Sequence, residues 1–246
     1  MAKYQALDER ETEILRAAEV ILLDEGYSAL TMDRLVEATA CPKGTMYRRF
    51  ACKEDVVLAL AQDCLRRRGA MLRRGAAYPG KSRERFLALG EAVSLFSRLH
   101  PNDSKLIHLA TGAMREKCSE ERLKAVEQIE RITGDLTQQI ALDGLAAGEL
   151  RLPEGSVLSE VTLAFWALVE GGFTLIENGI PQGVLRLHNP LHHLWRSCNL
   201  LADSYGWRPL FREWDYEQTL ADIRREVFPQ EAQQLYGPEG WQGDDA

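Results

Sequence analysis

The chain lacks the features that identify membrane-spanning, secreted or catalytic proteins. Among its 246 residues no apolar run approaches the roughly 18 residues that a membrane helix needs, so we expect no membrane span. The opening segment, MAKYQALDERE, has no apolar core and is not a secretory signal, which predicts a cytoplasmic protein. No phosphate-binding loop, nucleophile elbow or His-Glu metalloprotease motif is present, so the sequence does not indicate an enzyme.

Cysteine and histidine usage gives no sign of a disulfide framework or a metal site. The five cysteines are odd in number and show no C-x-x-C spacing. We expect reduced, mostly structural thiols, with a redox sensor at Cys41 or Cys52 as the alternative. His188, His192 and His193 lie close in sequence, but a proline interrupts them and no nearby acid or cysteine completes a ligand set. We therefore expect neither a metal ion nor a cofactor.

Positive charge is scarce overall but concentrated in one part of the chain. The formal net charge is −7, yet residues 41–74 contain nine basic and three acidic residues, a net charge of +6. From residue 75 onward, 17 basic residues are outnumbered by 25 acidic ones, a net charge of −8. Such asymmetry indicates that one part of the chain contacts nucleic acid, while the acidic remainder limits non-specific binding.

The segment from Thr31 to Lys53, TMDRLVEATACPKGTMYRRFACK, predicts two short helices joined by a tight turn and followed by the start of a third. Thr31 suits the N-cap of the first helix, and the turn falls near residues 39–41. Pro42 suits the first position of the second helix, where its missing N–H costs nothing. Met46 and Phe50 are four residues apart and share one face of that helix, so we expect both to be buried.

The opposite face of the second helix is small, polar and cationic. At about 100° per residue, Gly44, Thr45 and Arg48 point away from the core. Gly44 allows close approach of the backbone, Thr45 offers a hydroxyl and a methyl, and Arg48 suits guanine or a phosphate. Lys43 and Tyr47 flank this face and suit phosphate contacts. These are the properties of a recognition helix in the major groove of DNA.

The stretch LVEATACPKGTMYRRFACKEDVV resembles the helix-turn-helix signature of TetR-type transcriptional repressors, above all in KGTMYRRF followed by K-E-D. The resemblance covers residues 9–65, about a quarter of the chain. Ala40 stands where the family usually has the turn glycine, Pro42 where it has serine, and Arg49 where it often has an aromatic residue. By position, the resemblance implies base contacts from Lys43, Gly44, Thr45 and Arg48, and phosphate contacts from Thr31, Tyr47 and Lys53.

Helical spacing continues along the rest of the chain, with no alternating strand pattern of useful length. We expect an all-α protein with an N-terminal three-helix helix-turn-helix domain and a larger helical domain for dimerisation and ligand binding. The segment GAAYPGKS places the boundary between domains 1–75 and 76–246. The arginines that precede it, at 66, 67, 68, 73 and 74, are interpreted as a solvated helix end or a contact with the acidic domain.

Caps, glycines and prolines set the expected helix ends. Residues 1–8 and the tail 237–246 are expected to be frayed or disordered. A helix at 9–25 is predicted before the helix-turn-helix. After it, one helix starts at residue 54 and ends in a run of arginines. The remaining predicted helices are 82–99, 103–117, 119–147, 157–177, 190–205 and 216–227.

The predicted helix 157–177 contains VTLAFWALVEGGFTLI and is apolar nearly all the way round. Such a helix has to be covered on more than one face. The resemblance implies that it pairs with the helix at 190–205 and with the same two helices of a second copy; the alternative is the core helix of a monomer. The adjacent Gly171 and Gly172 indicate close packing or a kink.

TetR-type proteins usually hold a small-molecule effector in the second domain. Trp166, Glu170 and Phe173 fall on adjacent turns and are candidate ligand-binding residues, with His108 as a further candidate. The alternative is core packing with Glu170 paired to an arginine. The acidic charge of the domain favours a cationic or neutral effector, although surface charge is a poor guide to a pocket.

These features together predict a homodimeric DNA-binding transcriptional regulator. We expect a repressor that a small-molecule effector releases from a palindromic double-stranded DNA operator. Two alternatives stay open: a ligand-independent structural or partner-binding DNA-binding protein, and an enzyme built in the helical domain.

Overall fold

A computed structural model describes residues 9–237, apart from the side chains at 113 and 181. Every regular element in this range is helical, which confirms the predicted all-α class. The expected disorder of residues 1–8 and of most of the tail falls outside the described residues. The α-helices are α1 (Glu9–Glu25), α2 (Met32–Thr39), α3 (Lys43–Arg49), α4 (Lys53–Ala76), α5 (Ser82–Leu99), α6 (Pro101–Leu109), α7 (Glu120–Ala146), α8 (Leu158–Glu177), α9 (Ile180–Gly183), α10 (Pro190–Ser204), α11 (Tyr216–Glu226) and α12 (Pro229–Tyr236).

The chain divides into two compact units. In the described range, the first comprises residues 9–67 and 100–131 and the second comprises residues 68–99 and 132–237. Helices α4 and α7 therefore each contribute residues to both units. The division at residue 75, inferred from the loop between α4 and α5, stays a prediction about where the functional domains separate.

The core of the first unit is formed by the apolar faces of α1 to α4 and α6. Leu15 of α1, Leu35 of α2 and Met46 of α3 are fully buried, as is Phe50, which ends α3. Fully burying one such side chain stabilises a fold by about 1.5–3 kcal/mol. These residues fix the orientation of α3, because its Met46 side is held inward.

The second unit is organised around the start of α5. Arg83 is almost completely buried, and its guanidinium donates to a carboxylate oxygen of Asp203 at 2.5 Å and to the carbonyl oxygen of Asn199 at 2.9 Å. The Trp207 indole N–H donates to the Ser82 hydroxyl at 2.8 Å. A buried charge is tolerated only when it is paired and hydrogen-bonded, so Arg83 and its partners join α5 to the end of α10.

Prolines account for two differences from the predicted helices. Pro101 does not end a helix but begins α6, at a position where proline is favoured. Pro229 begins α12 in the same way, and this helix was not predicted. The predicted helix 103–117 was wrong at its end, since α6 stops at Leu109. Gly112 comes next with a φ of +60° and opens a 3-10 helix over Gly112–Lys117, a backbone conformation that an α-helix does not allow.

Helix α8 is only partly covered in the single chain. Its buried side chains are those of Val161, Phe165 and Phe173, whereas Leu163 is 67% exposed and Leu175 is 49% exposed. The expected cover on more than one face therefore stays a prediction about a second copy. The adjacent glycines differ: a Cβ at Gly172 would lie 2.5 Å from a methyl of Leu194 in α10, whereas one at Gly171 would meet nothing within 4 Å.

The expectation that no segment is apolar enough to span a membrane also needs correction. Helix α8 is 20 residues long, and its most apolar 18-residue window has a mean hydropathy of 1.3, which satisfies the criterion of length and composition. The apolar run is interrupted by Glu170, by threonines and by glycines, so the sequence contains no uninterrupted apolar stretch of this length. Apolar helices of soluble proteins have the same composition, so this property alone does not indicate a membrane protein.

Two glycines of α4 provide a matched stability test. A Cβ at Gly75 would lie 2.7 Å from the carbonyl oxygen of Ala88 in α5, whereas one at Gly69 would meet only the end of the Arg73 side chain, at 3.8 Å. We expect Gly75→Ala to lower the free energy of unfolding by about 1–3 kcal/mol through forced backbone displacement. We expect Gly69→Ala to raise it by about 0.5–1 kcal/mol through helix propensity. Urea unfolding at one protein concentration measures both, and equal effects would contradict the close approach of α4 to α5.

Candidate DNA-binding surface and ligand cavity

Helix α2 is anchored to α1 through side chains near its start. The Thr31 hydroxyl accepts a hydrogen bond from the backbone N–H of Arg34 at 3.2 Å, which confirms Thr31 as the N-cap. The Arg34 guanidinium donates two hydrogen bonds to the Glu25 carboxylate, at 2.6 and 2.9 Å, and this pairing lowers the pKa of Glu25. Bidentate pairs fix geometry, so the angle at which α2 leaves α1 is set here.

The turn between α2 and α3 forms without glycine. Ala40 adopts the left-handed conformation, with a φ of 47° and a ψ of 26°. For a residue other than glycine this conformation costs about 1–2 kcal/mol, which burial of the flanking Leu35 and Met46 offsets. Pro42 is the N-cap of α3, not its first residue as predicted; its carbonyl accepts from the N–H groups of Thr45 and Met46 at 2.8 and 3.0 Å.

The outward face of α3 is open. Gly44 and Arg48 are exposed, Thr45 is half-buried, and a Cβ at Gly44 would have open space around it. Tyr47 is also exposed, beside Arg48. A short helix with a small, hydroxyl-bearing and cationic outer face can lie against a groove of DNA and present donors to base edges.

The two cations at the ends of α3 differ in their partners. Lys43 pairs with Asp33 of α2 at 2.7 Å, and the hydrogen bond from Lys43 to Asp33 raises the pKa of the lysine. Both side chains are largely exposed, and a solvent-exposed pair of this kind exchanges readily for another anion such as a phosphate. Arg49 lies 4.0 Å from the Glu11 carboxylate of α1, so its charge is directed towards α1.

Lys53 opens α4 in a more enclosed setting. Its ammonium donates to the carbonyl oxygen of Tyr27 at 3.3 Å and lies 4.0 Å from the centre of the Tyr27 ring. The Tyr27 hydroxyl donates to the Glu54 carboxylate at 2.7 Å. Burial, with the hydrogen bond to Glu54 and the charge of Glu54, raises the pKa of Tyr27. Burial also opposes ionisation of Glu54. Hydrogen bonds to its carboxylate, the largest of them from Tyr27, outweigh burial and lower the pKa of Glu54. The two residues join the loop before α2 to the start of α4.

This contact predicts a pH-dependent stability difference. Glu54 has a lowered pKa when folded, so it stabilises the protein above the ordinary glutamate pKa of about 4.3, and this stabilisation is lost as the pH falls. Tyr27→Phe removes the hydroxyl donor but keeps the ring beneath Lys53. We expect it to lower the free energy of unfolding by about 1.5–3 kcal/mol at pH 7. The difference from wild type should shrink in urea unfolding near pH 4; an unchanged difference would show that the Glu54 charge is irrelevant.

The second unit contains a cavity of about 960 Å³, part of it open to solvent. Helices α4, α5, α7, α8 and α10 supply its walls. That volume includes solvent-filled space at the opening. The walls are mainly apolar and aromatic with a few polar groups, which is typical of small-molecule sites. Its charged and aromatic lining residues include Arg68, Phe86, Phe165, Trp166, Glu170 and Trp195.

The predicted ligand-binding residues do not all reach this cavity. Trp166 and Glu170 line it. Phe173 is buried and packs edge-on against Trp195, with ring centroids 6.2 Å apart, but is not a lining residue. His108 lies on α6 in the first unit and is also not a lining residue. Phe86 and Trp195 were missed because they come from helices distant in sequence, with no shared motif.

Three of the five arginines at the end of α4 contact acidic residues, which confirms for these three the second of the interpretations offered; Arg66 and Arg73 are exposed. Arg67 pairs with Asp103 of α6 at 2.5 Å, and Arg68 lies 3.4 Å from Glu170 of α8. Arg74 pairs with Glu231 of α12. The alternative that Glu170 pairs with an arginine is therefore correct, although the residue also lines the cavity.

Thiol and imidazole groups show no reactive or metal-binding arrangement. Within residues 9–237 no three histidine, cysteine or acidic side chains are grouped so as to hold a metal ion. Burial raises the pKa of Cys52, and burial with nearby carboxylates raises that of Cys118 to about 11. Since the thiolate is the reactive form, these shifts disfavour a redox sensor at Cys52.

Comparison with known proteins finds a family match within the first unit. Residues 14–60 match the family model described as bacterial regulatory proteins, tetR family. An uncharacterized HTH-type transcriptional regulator of Mycobacterium tuberculosis is 33% identical over 87 residues, which cover 34% of this chain and 39% of that protein. One of Mycobacterium bovis matches to the same extent. The chain therefore spans well under half the length of these curated relatives.

Solved structures share the fold along most of the chain. A tetR-family regulatory protein from Rhodococcus RHA1 has a TM-score of 0.61 at 15% identity, covering 82% of this chain and 99% of its own. A TetR/AcrR-family regulator from Thermobifida fusca has a TM-score of 0.55 at 22% identity, with coverage of 80% and 99%. The regulator FadR from Bacillus subtilis, in complex with stearoyl-CoA, has a TM-score of 0.57 at 14% identity, with coverage of 78% and 97%.

Proposed function

We infer that this chain, whose residues 14–60 match the tetR family model, regulates transcription by binding a palindromic operator as a homodimer. The observation that carries the inference is the outward face of α3, where Gly44, Thr45 and Arg48 lie opposite the buried Met46. In this proposal these residues and Lys43 approach base edges, and Thr31, Tyr47 and Lys53 hold phosphates. Thr31 and Lys53 would keep their structural contacts while doing so.

The dimer rests on the uncovered apolar residues of α8 and α10. Leu163 and Leu175 of α8 and Leu200 of α10 are exposed in the single chain, and Trp166 is 43% exposed. A patch of this kind on a soluble chain marks an interaction surface. Burying it against the same surface of a second copy forms an isologous interface and matches two reading heads to a two-fold symmetric site.

The cavity of the second unit supplies a place for an effector. The Bacillus subtilis regulator with the same fold is described in complex with stearoyl-CoA, which supports ligand binding in a fold of this kind. An effector that binds one conformation better than the other shifts the population towards it. In our proposal the distance between the two α3 helices in the favoured conformation no longer matches the spacing of successive major grooves. The repressor, which we place in the cytoplasm, then dissociates from its operator.

Selection from a pool of random duplex DNA tests the regulator directly. We expect the full chain to enrich a palindrome whose half-sites lie about one helical turn, 10–10.5 base pairs, or a multiple of it apart. Weak binding to all sequences that disappears with added salt would overturn the proposal, because it would show that α3 does not read bases. The enriched operator then allows compounds to be screened for release, which separates an effector-controlled repressor from a ligand-independent DNA-binding protein.

A further inference from the structure

The cavity in the second unit contains three charged side chains, and one of them is held by contacts within the fold. The lining includes the cations Arg68 and Arg83 and the anion Glu170. Arg83 is committed to Asp203 and to backbone carbonyls, and burial lowers the pKa of its guanidinium. Of the two cations in the lining, Arg68 therefore remains for an incoming ligand.

Arg68 is incompletely paired. Its side chain is only 12% exposed, and among the described residues its guanidinium makes a single hydrogen bond, from Nη1 to Oε1 of Glu170 at 3.4 Å. Two other buried or half-buried arginine–carboxylate pairs of this unit are closer: Arg85–Asp143 and Arg224–Glu91 are both 2.6 Å. A guanidinium has five N–H donors arranged for bidentate contact with a carboxylate, so most of the binding capacity of Arg68 is unused.

The sign of the ligand charge can be inferred from the surroundings of Arg68. Phe86, Phe165, Trp166 and Trp195 make the walls apolar and keep the effective dielectric constant low, which strengthens every charge interaction inside. A cationic ligand would have to compete with Arg68 for the single carboxylate of Glu170 and would lie beside a second guanidinium. An anionic group can form with Arg68 the bidentate pair that Glu170 does not form.

We propose that the effector is a mainly apolar carboxylic acid whose carboxylate binds Arg68 in place of Glu170. The proposal rests on the proposed effector-controlled function and adds the chemical class of the ligand. The hydrocarbon part of the molecule lies among the aromatic walls, and Glu170, which is about one-third exposed, turns towards solvent. Binding is reversible and involves no covalent step.

Three probes of equal length that differ only in the head group test the proposal: decanoate, decan-1-ol and decylammonium. Trp166 and Trp195 line the cavity, so tryptophan fluorescence of the full chain reports binding. We expect decanoate to bind at least about 10-fold more tightly than either other probe. Arg68→Met should weaken decanoate binding about 10- to 100-fold and leave decanol binding unchanged. The matched control is Arg73→Met, on the same helix but exposed and outside the lining, and it should change nothing.

A second variant keeps the test decisive if Arg68→Met is poorly folded. Glu170→Gln removes the competing charge and should tighten decanoate binding while weakening any decylammonium binding. Tightest binding of decylammonium, equal loss of decanoate and decanol in Arg68→Met, or no decanoate binding would each overturn the proposal. Operator binding of the same ligand-free preparations is measured in parallel. If it is normal while the decanoate arm fails, the ligand class is wrong and the DNA-binding function stands.

Discussion

Replacement of Arg48 by alanine is expected to remove selection of the palindromic operator. Arg48 is exposed on the outward face of α3, and we propose that its guanidinium contacts a base in each half-site. A bidentate contact to guanine is worth about 1–3 kcal/mol, and a symmetric dimer makes it twice. The loss is therefore about 2–6 kcal/mol, or roughly 30-fold or more in Kd.

The comparison that makes this result specific is a second arginine-to-alanine variant. Arg212 is exposed in the 3-10 turn Phe211–Glu213 of the second unit, so Arg212→Ala removes the same charge away from α3. Binding of both variants to the selected operator and to a scrambled duplex is measured at two salt concentrations. If Arg48→Ala still enriches the wild-type palindrome, Arg48 holds a phosphate at most and base recognition lies elsewhere on α3.

The second large effect is expected at Leu163, where arginine should convert the dimer to a monomer. Leu163 is 67% exposed in the single chain, so the new side chain remains solvated there and the fold is kept. In an isologous interface the substitution places two unpaired charges on the buried surface, and each unpaired buried charge costs about 3–5 kcal/mol. We therefore expect the dimer to dissociate at micromolar protein concentration.

Sedimentation of the variant across a range of concentrations measures this dissociation. The matched control is Gln234→Arg, which adds the same side chain at an exposed position in the last turn of α12. Leu163→Arg should also bind a full palindrome no better than a half-site. A dimeric Leu163→Arg protein would mean that another surface joins the two copies and that the apolar face of α8 has a different partner.

Local signals in the sequence were enough to place most helices. Thr31 as a cap and Gly26, with a φ of +85° after α1, fix helix boundaries through contacts within a few residues. The errors arose where one residue type fits either end of a helix or where the backbone turns early. Pro101 and Pro229 begin helices instead of ending them, and the chain leaves the α-helical conformation before Gly112. The outward face of α3 was predictable from helical spacing alone.

The cavity was only partly predictable, because its walls come from five helices. Trp166 and Glu170 share α8 and were found by their spacing, whereas Arg68 and Trp195 become neighbours only after folding. Our proposal also differs from the expectation drawn from the sequence in the sign of the effector charge. The acidic composition of the second domain favoured a cationic or neutral effector, but surface charge is an average over exposed residues. In our proposal the ligand binds Arg68, a single residue that the composition of the domain does not identify.

The exposed apolar surface of α8 also affects the steady-state amount of the protein in a cell. Under the proposed dimer, a newly made chain presents Leu163 and Leu175 to chaperones and proteases until it meets a second copy. Association obeys mass action, so the thermal midpoint rises with protein concentration and the surviving fraction falls at low copy number. Halving the synthesis rate then removes more than half of the proposed dimer, which makes the steepness of any transcriptional response depend on gene dosage.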